Sequence, residues 1–237
     1  MTALWATASR LGDRFLFPGP DDVARSLVAV TRSGLLPRAV LKSFARLAVG
    51  YGVSLVAGVA LGIGLARVRL LKDTLGPVVL GLQAIPSVCW LPLALLWFGL
   101  GEAAIQVVIV LGSLLSITLA TESAVNTIPP LLLRAARTMG AEGFTLWRRV
   151  ILPAAFPGIV SGARLGWTFA WRSLLAGELL FVSGGIGQVL EMGRELADMS
   201  MVLAVMVVIV ALGIATDRAV FGVAERRVRA LWGLDRA

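Results

Sequence analysis

Four stretches of the chain are long enough, and free enough of charge, to cross a bilayer, and this limits its fold more than any other feature. Leu47–Ala66 offers 20 uncharged residues, Thr74–Gly101 offers 28, Ala103–Thr121 offers 19 and Met199–Thr216 offers 18. A helical crossing of the hydrocarbon core takes roughly 20 predominantly apolar residues. A fifth stretch, Phe156–Leu180, is long enough but carries Arg164, Arg172 and Glu178. Inside lipid every backbone N–H and C=O must find an internal partner, which leaves helices and closed barrels. These stretches lack the ten-residue alternation of barrel strands. The expected fold is therefore an all-α integral membrane bundle with five full transmembrane helices. Gly58, Gly62 and Gly64 in one span, and Gly158, Gly162 and Gly166 in another, have the spacing that lets membrane helices pack closely.

Orientation follows from the basic residues. Arg67, Arg69 and Lys72 follow the first span; Arg134, Arg137, Arg148 and Arg149 follow the third; Arg226, Arg227, Arg229 and Arg236 lie in the tail. The opposite gaps hold Glu102, Glu191, Arg194, Glu195 and Asp198. The basic side is cytoplasmic. Arg25, Arg32, Arg38 and Lys42 fit this less well, because they precede the first span on the outer side, offset only in part by Asp21 and Asp22. Met1–Phe17 is too short and too charged to span, and it lacks the apolar core and cleavage site of a signal peptide.

Several functions are excluded. The net charge of +8 is accounted for by topology and anionic headgroups, so nucleic acid is not an expected partner. The single cysteine, Cys89, rules out an internal disulfide, and with no histidine a metal site is not expected. A phosphate-binding Walker loop needs Gly directly before Lys; both lysines, Lys42 and Lys72, follow Leu. The chain is not expected to be an enzyme or to carry a cofactor. An ion-coupled secondary transporter is the alternative class. It would show midplane carboxylates and inverted repeats, and the uncharged spans argue against it.

The longest cytoplasmic gap, about residues 123–155, is the most informative segment. Pro129 and Pro130 suit a helix start, Leu131–Met139 has helical spacing, and Gly140 ends or bends that helix. A second short helix is expected over Glu142–Val150. The segment is basic yet carries the apolar residues Phe144 and Trp147. By composition it is either a docking helix–turn–helix or an amphipathic helix resting on headgroups.

The spacing here resembles the EAA loop of ATP-binding-cassette (ABC) importer permeases: Glu-Ala-Ala, three residues, Gly, nine residues, Ile, any residue, Leu-Pro. The chain has Ala135-Ala136, Gly140, Val150, Leu152 and Pro153 in register, and Arg134 where the family has Glu. FLFPGPDDVARSL and QAIPSVCWLPLALLWFGLGE resemble the permeases of the sulfonate, taurine, nitrate and bicarbonate group. ALWATASR resembles the end of those relatives' first helix, so the resemblance implies a truncated first helix before the five spans. It divides the chain into residues 1–40 (remnant helix and external segment), 41–222 (permease domain) and 223–237 (basic tail).

The resemblance also implies the assembly. A second copy of the chain, two separate ATPase subunits holding ATP and Mg, and an extracytoplasmic solute-binding protein would join it in the bacterial inner membrane. Arg134, Ala135, Ala136, Gly140, Ala141, Glu142, Gly143, Phe144, Leu152 and Pro153 would form the ATPase-coupling surface. The implied solute is a small anion such as a sulfonate, taurine, nitrate or bicarbonate; a vitamin precursor such as riboflavin or a thiamine-pathway pyrimidine is the alternative.

Candidate path residues come from polar groups inside the spans, where a charge costs about 2.5–3.5 kcal/mol on insertion scales. Arg172, with Thr168 one turn away and Trp171 beside it, either lines an anion path or is structurally paired, with Glu178 the candidate partner. Six residues put Arg172 and Glu178 about 120° apart on one helix, which weakens that pairing. Arg164 suits snorkelling to the cytoplasmic surface. Gln83 and Ser87 flank Pro86, in either a cavity or a plain kinked helix. Gly184-Gly185-Ile186-Gly187 reads as a flexible external loop.

Overall fold

A computed structural model describes residues 18–180 and 183–231, with side chains through Arg226 at the C-terminal end. The remnant-helix reading of Met1–Phe17 lies outside the described residues. Every element among those described is helical. They are α1 (Pro20–Arg32), α2 (Leu35–Arg67), α3 (Arg69–Gln83), a 3₁₀ turn (Ser87–Trp90), α4 (Leu91–Phe98), α5 (Glu102–Asn126) and α6 (Pro130–Thr138). Then come α7 (Gly143–Leu146), a π turn (Trp147–Ile151), α8 (Leu152–Leu179), α9 (Ile186–Glu195), α10 (Met199–Thr216), a π turn (Asp217–Phe221) and α11 (Gly222–Leu231).

Four helical runs are long and apolar enough to cross a membrane, and a bent pair makes a fifth: Leu35–Arg67, Arg69–Gln83 with Ser87–Phe98, Glu102–Asn126, Gly143–Leu179 and Met199–Arg226. The 28-residue uncharged stretch is thus two half-helices bent by 100°, where the sequence suggests at most a kink. The cause is local. Pro86 has no N–H to donate and pushes Ile85 out of helical geometry. The freed groups close tight turns instead: Ala84 N–H to Gly81 O (3.2 Å), Ile85 N–H to Leu82 O (3.2 Å) and Cys89 N–H to Pro86 O (2.9 Å).

α5 is the central helix, packed between α2 and α8. Small residues decide that arrangement. A Cβ added at Gly62 would lie 2.5 Å from the Thr118 carbonyl, and one at Gly162 would lie 2.4 Å from the Ala120 Cβ. Gly58, Gly158 and Gly166 face α5 as closely. Gly64 does not; its nearest neighbour would be Leu71, at 3.5 Å. Backbones approach this closely only where no side chain intervenes. Leu47, Ile105, Ile109, Ile117 and Leu174 then interlock in the core, and Tyr51 ties α2 to α8 through its hydroxyl on the Ala163 carbonyl (2.8 Å). α10 lies at the edge, against α9 and α1.

Candidate functional site

The cytoplasmic segment is built around one glycine. α6 ends at Thr138, and Gly140 turns the chain at φ +83°, a left-handed conformation that costs a residue with a Cβ. Beneath the turn, Ile128, Ala136, Leu146, Ile151 and Ala155 form a buried cluster. It fastens the segment to the ends of α5 and α8. The Arg67 guanidinium stacks 5.2 Å from the centre of the Trp147 ring, a cation–π contact that binds the segment to α2 as well. The far side faces outward: Met139 is 86% exposed and Phe144 is 73% exposed.

The expected coupling residues divide by side. Ala136 is buried and Ala141 and Pro153 are half-buried; Arg134, Ala135, Gly140, Glu142, Gly143, Phe144 and Leu152 are exposed. The expected separate helix over Glu142–Val150 is corrected. Only Gly143–Leu146 forms a short α-helix, and the chain then runs through the π turn into α8 as one 37-residue helical run. Pro153 falls in the first turn of α8, directly after the π turn.

A second feature lies within the bundle. The 100° bend opens a cavity of about 310 Å³ against α5 and α8, lined by Gln83, Ser87, Trp90, Ser116, Phe169 and Arg172 among others. Three of the six expected path residues, Gln83, Ser87 and Arg172, therefore share one space. The other three are elsewhere. Thr168 is exposed and turns its hydroxyl back to the Arg164 carbonyl (3.3 Å). Trp171 packs on Phe44, ring centres 5.6 Å apart. Glu178 is fully buried and does not meet Arg172.

Glu178 instead belongs to a polar clasp at the outer end. Its carboxylate accepts from Arg46 Nη1 (2.7 Å), from the Ser43 hydroxyl (2.7 Å to each oxygen) and from the Gly187 N–H (3.0 Å). Ser43 Oγ accepts from the Ile186 N–H (2.9 Å). Arg46 also grips Glu102, with Nε at 2.5 Å from Oε2, and donates to the Ser183 carbonyl. The glycine-rich turn is therefore held down and is not a flexible loop. Gly185 and Gly187 wrap the carboxylate so closely that a Cβ on Gly185 would lie 2.0 Å from Glu178 Oε1. The signal for this clasp was the surplus of basic residues on the outer side: Lys42 and Arg46 share a helix face, and Glu102 lies 3.6 Å from Lys42.

At the cytoplasmic end Arg164 does not snorkel freely. It holds Asp217 at 2.7 and 2.6 Å and Glu225 at 3.0 and 3.1 Å, joining α8 to the second π turn and α11.

Together the bundle, the bend and the cytoplasmic segment define a multi-pass transport subunit. Comparison with known proteins supplies the family. The profile of the binding-protein-dependent transport system inner membrane component matches residues 55–230. The riboflavin transport system permease protein RibX of Chloroflexus aurantiacus is 32% identical over 78% of this chain and 69% of its own. The taurine transport system permease protein TauC of Escherichia coli is 26% identical over 88% of this chain and 78% of its own. A structure described as inward-facing conformations of the MetNI methionine ABC transporter superposes with a TM-score of 0.69 at 26% identity, covering 83% of this chain and 95% of that one. The chain belongs to the binding-protein-dependent transport system inner membrane component family and is an ABC importer permease.

Proposed function

We propose that the chain forms part of the translocation path of an importer and receives mechanical work from a separate ATPase through residues 129–153. One observation supports this above the others: an exposed apolar tip, Met139 and Phe144, stands on a base fixed by buried contacts to two spans and by the Arg67–Trp147 stack to a third. An apolar surface outside the bilayer, mounted on a rigid support, suits a protein groove. ATP and Mg belong to that partner; this chain's part is to dock and to rock. A second copy supplies the other half of the path, and an external binding protein delivers the solute.

The solute we favour is a small anion, because the cavity at the bend holds Arg172 and no carboxylate among its described lining residues. The likeness to a taurine permease favours the same class, and the likeness to a riboflavin permease keeps a vitamin precursor as the alternative.

The docking part is tested by co-purification with a co-expressed ABC ATPase subunit from the same organism. Wild type brings the ATPase down in equal numbers. Phe144→Asp abolishes recovery while the permease stays monodisperse in detergent, and Gly140→Trp does the same by straining the turn. Equal recovery with Phe144→Asp overturns the assignment.

A further inference from the structure

The cavity at the bend contains unspent hydrogen-bonding capacity. Buried hydroxyls on the spans mostly turn back to a carbonyl one helical turn earlier: Ser113 to Ile109, Thr118 to Leu114 and Ser173 to Phe169, each at 2.8 Å. Ser116 is 2% exposed, faces the cavity, and has no such bond among the described residues. Ser87, Gln83 and Arg172 also have no hydrogen-bond partner or ion pair among them. These four arrive from three separate pieces of chain: the bent pair, α5 and α8. Ser116 is buried, Gln83 and Ser87 are half-buried and Arg172 is exposed; within a span such groups are costly unless protein, water or a ligand satisfies them.

The chemistry of the four is complementary to one kind of guest. A guanidinium offers a planar fork to two oxygens of a carboxylate or sulfonate. Two hydroxyls and an amide N–H₂ add neutral donors for a further oxygen. Trp90 and Phe169 supply apolar wall for a short carbon tail. A single lining cation balances a single negative charge. The volume, about 310 Å³, sits at the small end of ligand sites.

We infer that this cavity is an oxyanion site for a small monoanion, with Arg172 supplying the charge and Gln83, Ser87 and Ser116 the neutral donors. The inference rests on the transport reading above and adds to it a selectivity filter inside the permease itself. The solute would then be checked twice, by the external binding protein and again at the bend. Gly112 is part of the design: a Cβ there would lie 3.1 Å from the Ser87 Cβ and 2.1 Å from Ser173 Oγ, so this wall stays open only with glycine.

Thiol chemistry tests the site without knowledge of the natural solute. Cys89 is the chain's single cysteine, so Cys89→Ser gives a thiol-free background into which Ser87→Cys is placed. The whole transporter in membrane vesicles is treated with sulfonatoethyl methanethiosulfonate, an anion, or its trimethylammonioethyl analogue, a cation. In each reaction the thiolate displaces methanesulfinate and forms a mixed disulfide. The rate ratio of the two reagents, normalised to a free thiol, cancels any change in the thiol's own acidity. A focused positive field predicts a ratio of about ten in favour of the anion. Arg172→Gln brings the ratio to one and Arg172→Lys keeps it. Methanesulfonate slows the reaction, and tetramethylammonium does not. A ratio of one in the parent, a ratio indifferent to Arg172→Gln, no reaction with either reagent, or protection by riboflavin but not by methanesulfonate overturns the site. Failure here with ATPase co-purification intact removes the filter and leaves the importer. Loss of co-purification with the ratio intact does the reverse.

Discussion

Two arginines carried on the spans, one buried and one exposed, meet opposite fates. Arg46 at the outer end is 4% exposed and fully occupied, with Glu102, Glu178 and a carbonyl taking its donors. Arg172, near the bend, is exposed to a cavity and has no partner among the described residues. A buried charge that is paired fixes geometry, whereas one left open toward a cavity is available to something that comes and goes. The clasp joins α2, α5, α8 and the turn before α9, and it holds the outer end closed on itself. The cavity at the bend is where the proposed guest would be exchanged.

This contrast predicts a graded set of responses. The largest belongs to Arg46→Met, which leaves Glu178 buried and uncompensated. Loss of one partner of a buried pair costs about 3–5 kcal/mol, read as a large fall in thermal unfolding temperature in detergent. Adding Glu178→Leu restores most of it; a double variant as unstable as the single would mean the pair is not the unit. Next, Arg172→Gln changes unfolding by under about 0.5 kcal/mol but lowers solute uptake by the assembled transporter about tenfold, in line with the focusing of counter-ions by one fixed charge. Equal loss of stability in both arginine variants would erase the distinction. The smallest effect is expected for Glu102→Gln. The Glu102 side chain is 58% exposed, so water screens its half of the pair and holds its contribution to about 1 kcal/mol, less in high salt. A salt-independent loss above that value would show that Glu102 carries the clasp as much as Glu178 does.

The spans were legible because a charge-free run of about 20 residues has few alternatives in lipid. The turn at Gly140 was legible because positive φ selects glycine locally. What escaped the sequence was long-range. Arg46 carries no local signal of its role, because its partners lie 56 and 132 positions away. Glu178 could be weighed only against Arg172, at an unfavourable angle on its own helix, because Ser43 and Arg46 lie 135 and 132 positions away. Ser116 drew no notice, since one serine among several on α5 is marked out only by the bend that faces it. Pro86 announced a disturbance, but how far the chain turns there depends on packing against α5 and α8.

The 37-residue run from Gly143 to Leu179 crosses from the cytoplasmic tip to the outer end without a loop. Phe144 and Arg172 are 28 residues apart on it, roughly 42 Å at 1.5 Å per residue. They are two points on one crank. In the proposed importer, a push on the tip is carried to the cavity wall along one continuous helical run, and a guest that holds the wall resists that push. On the proposed function, an empty cavity and a full one would present different mechanical loads to whatever drives the tip.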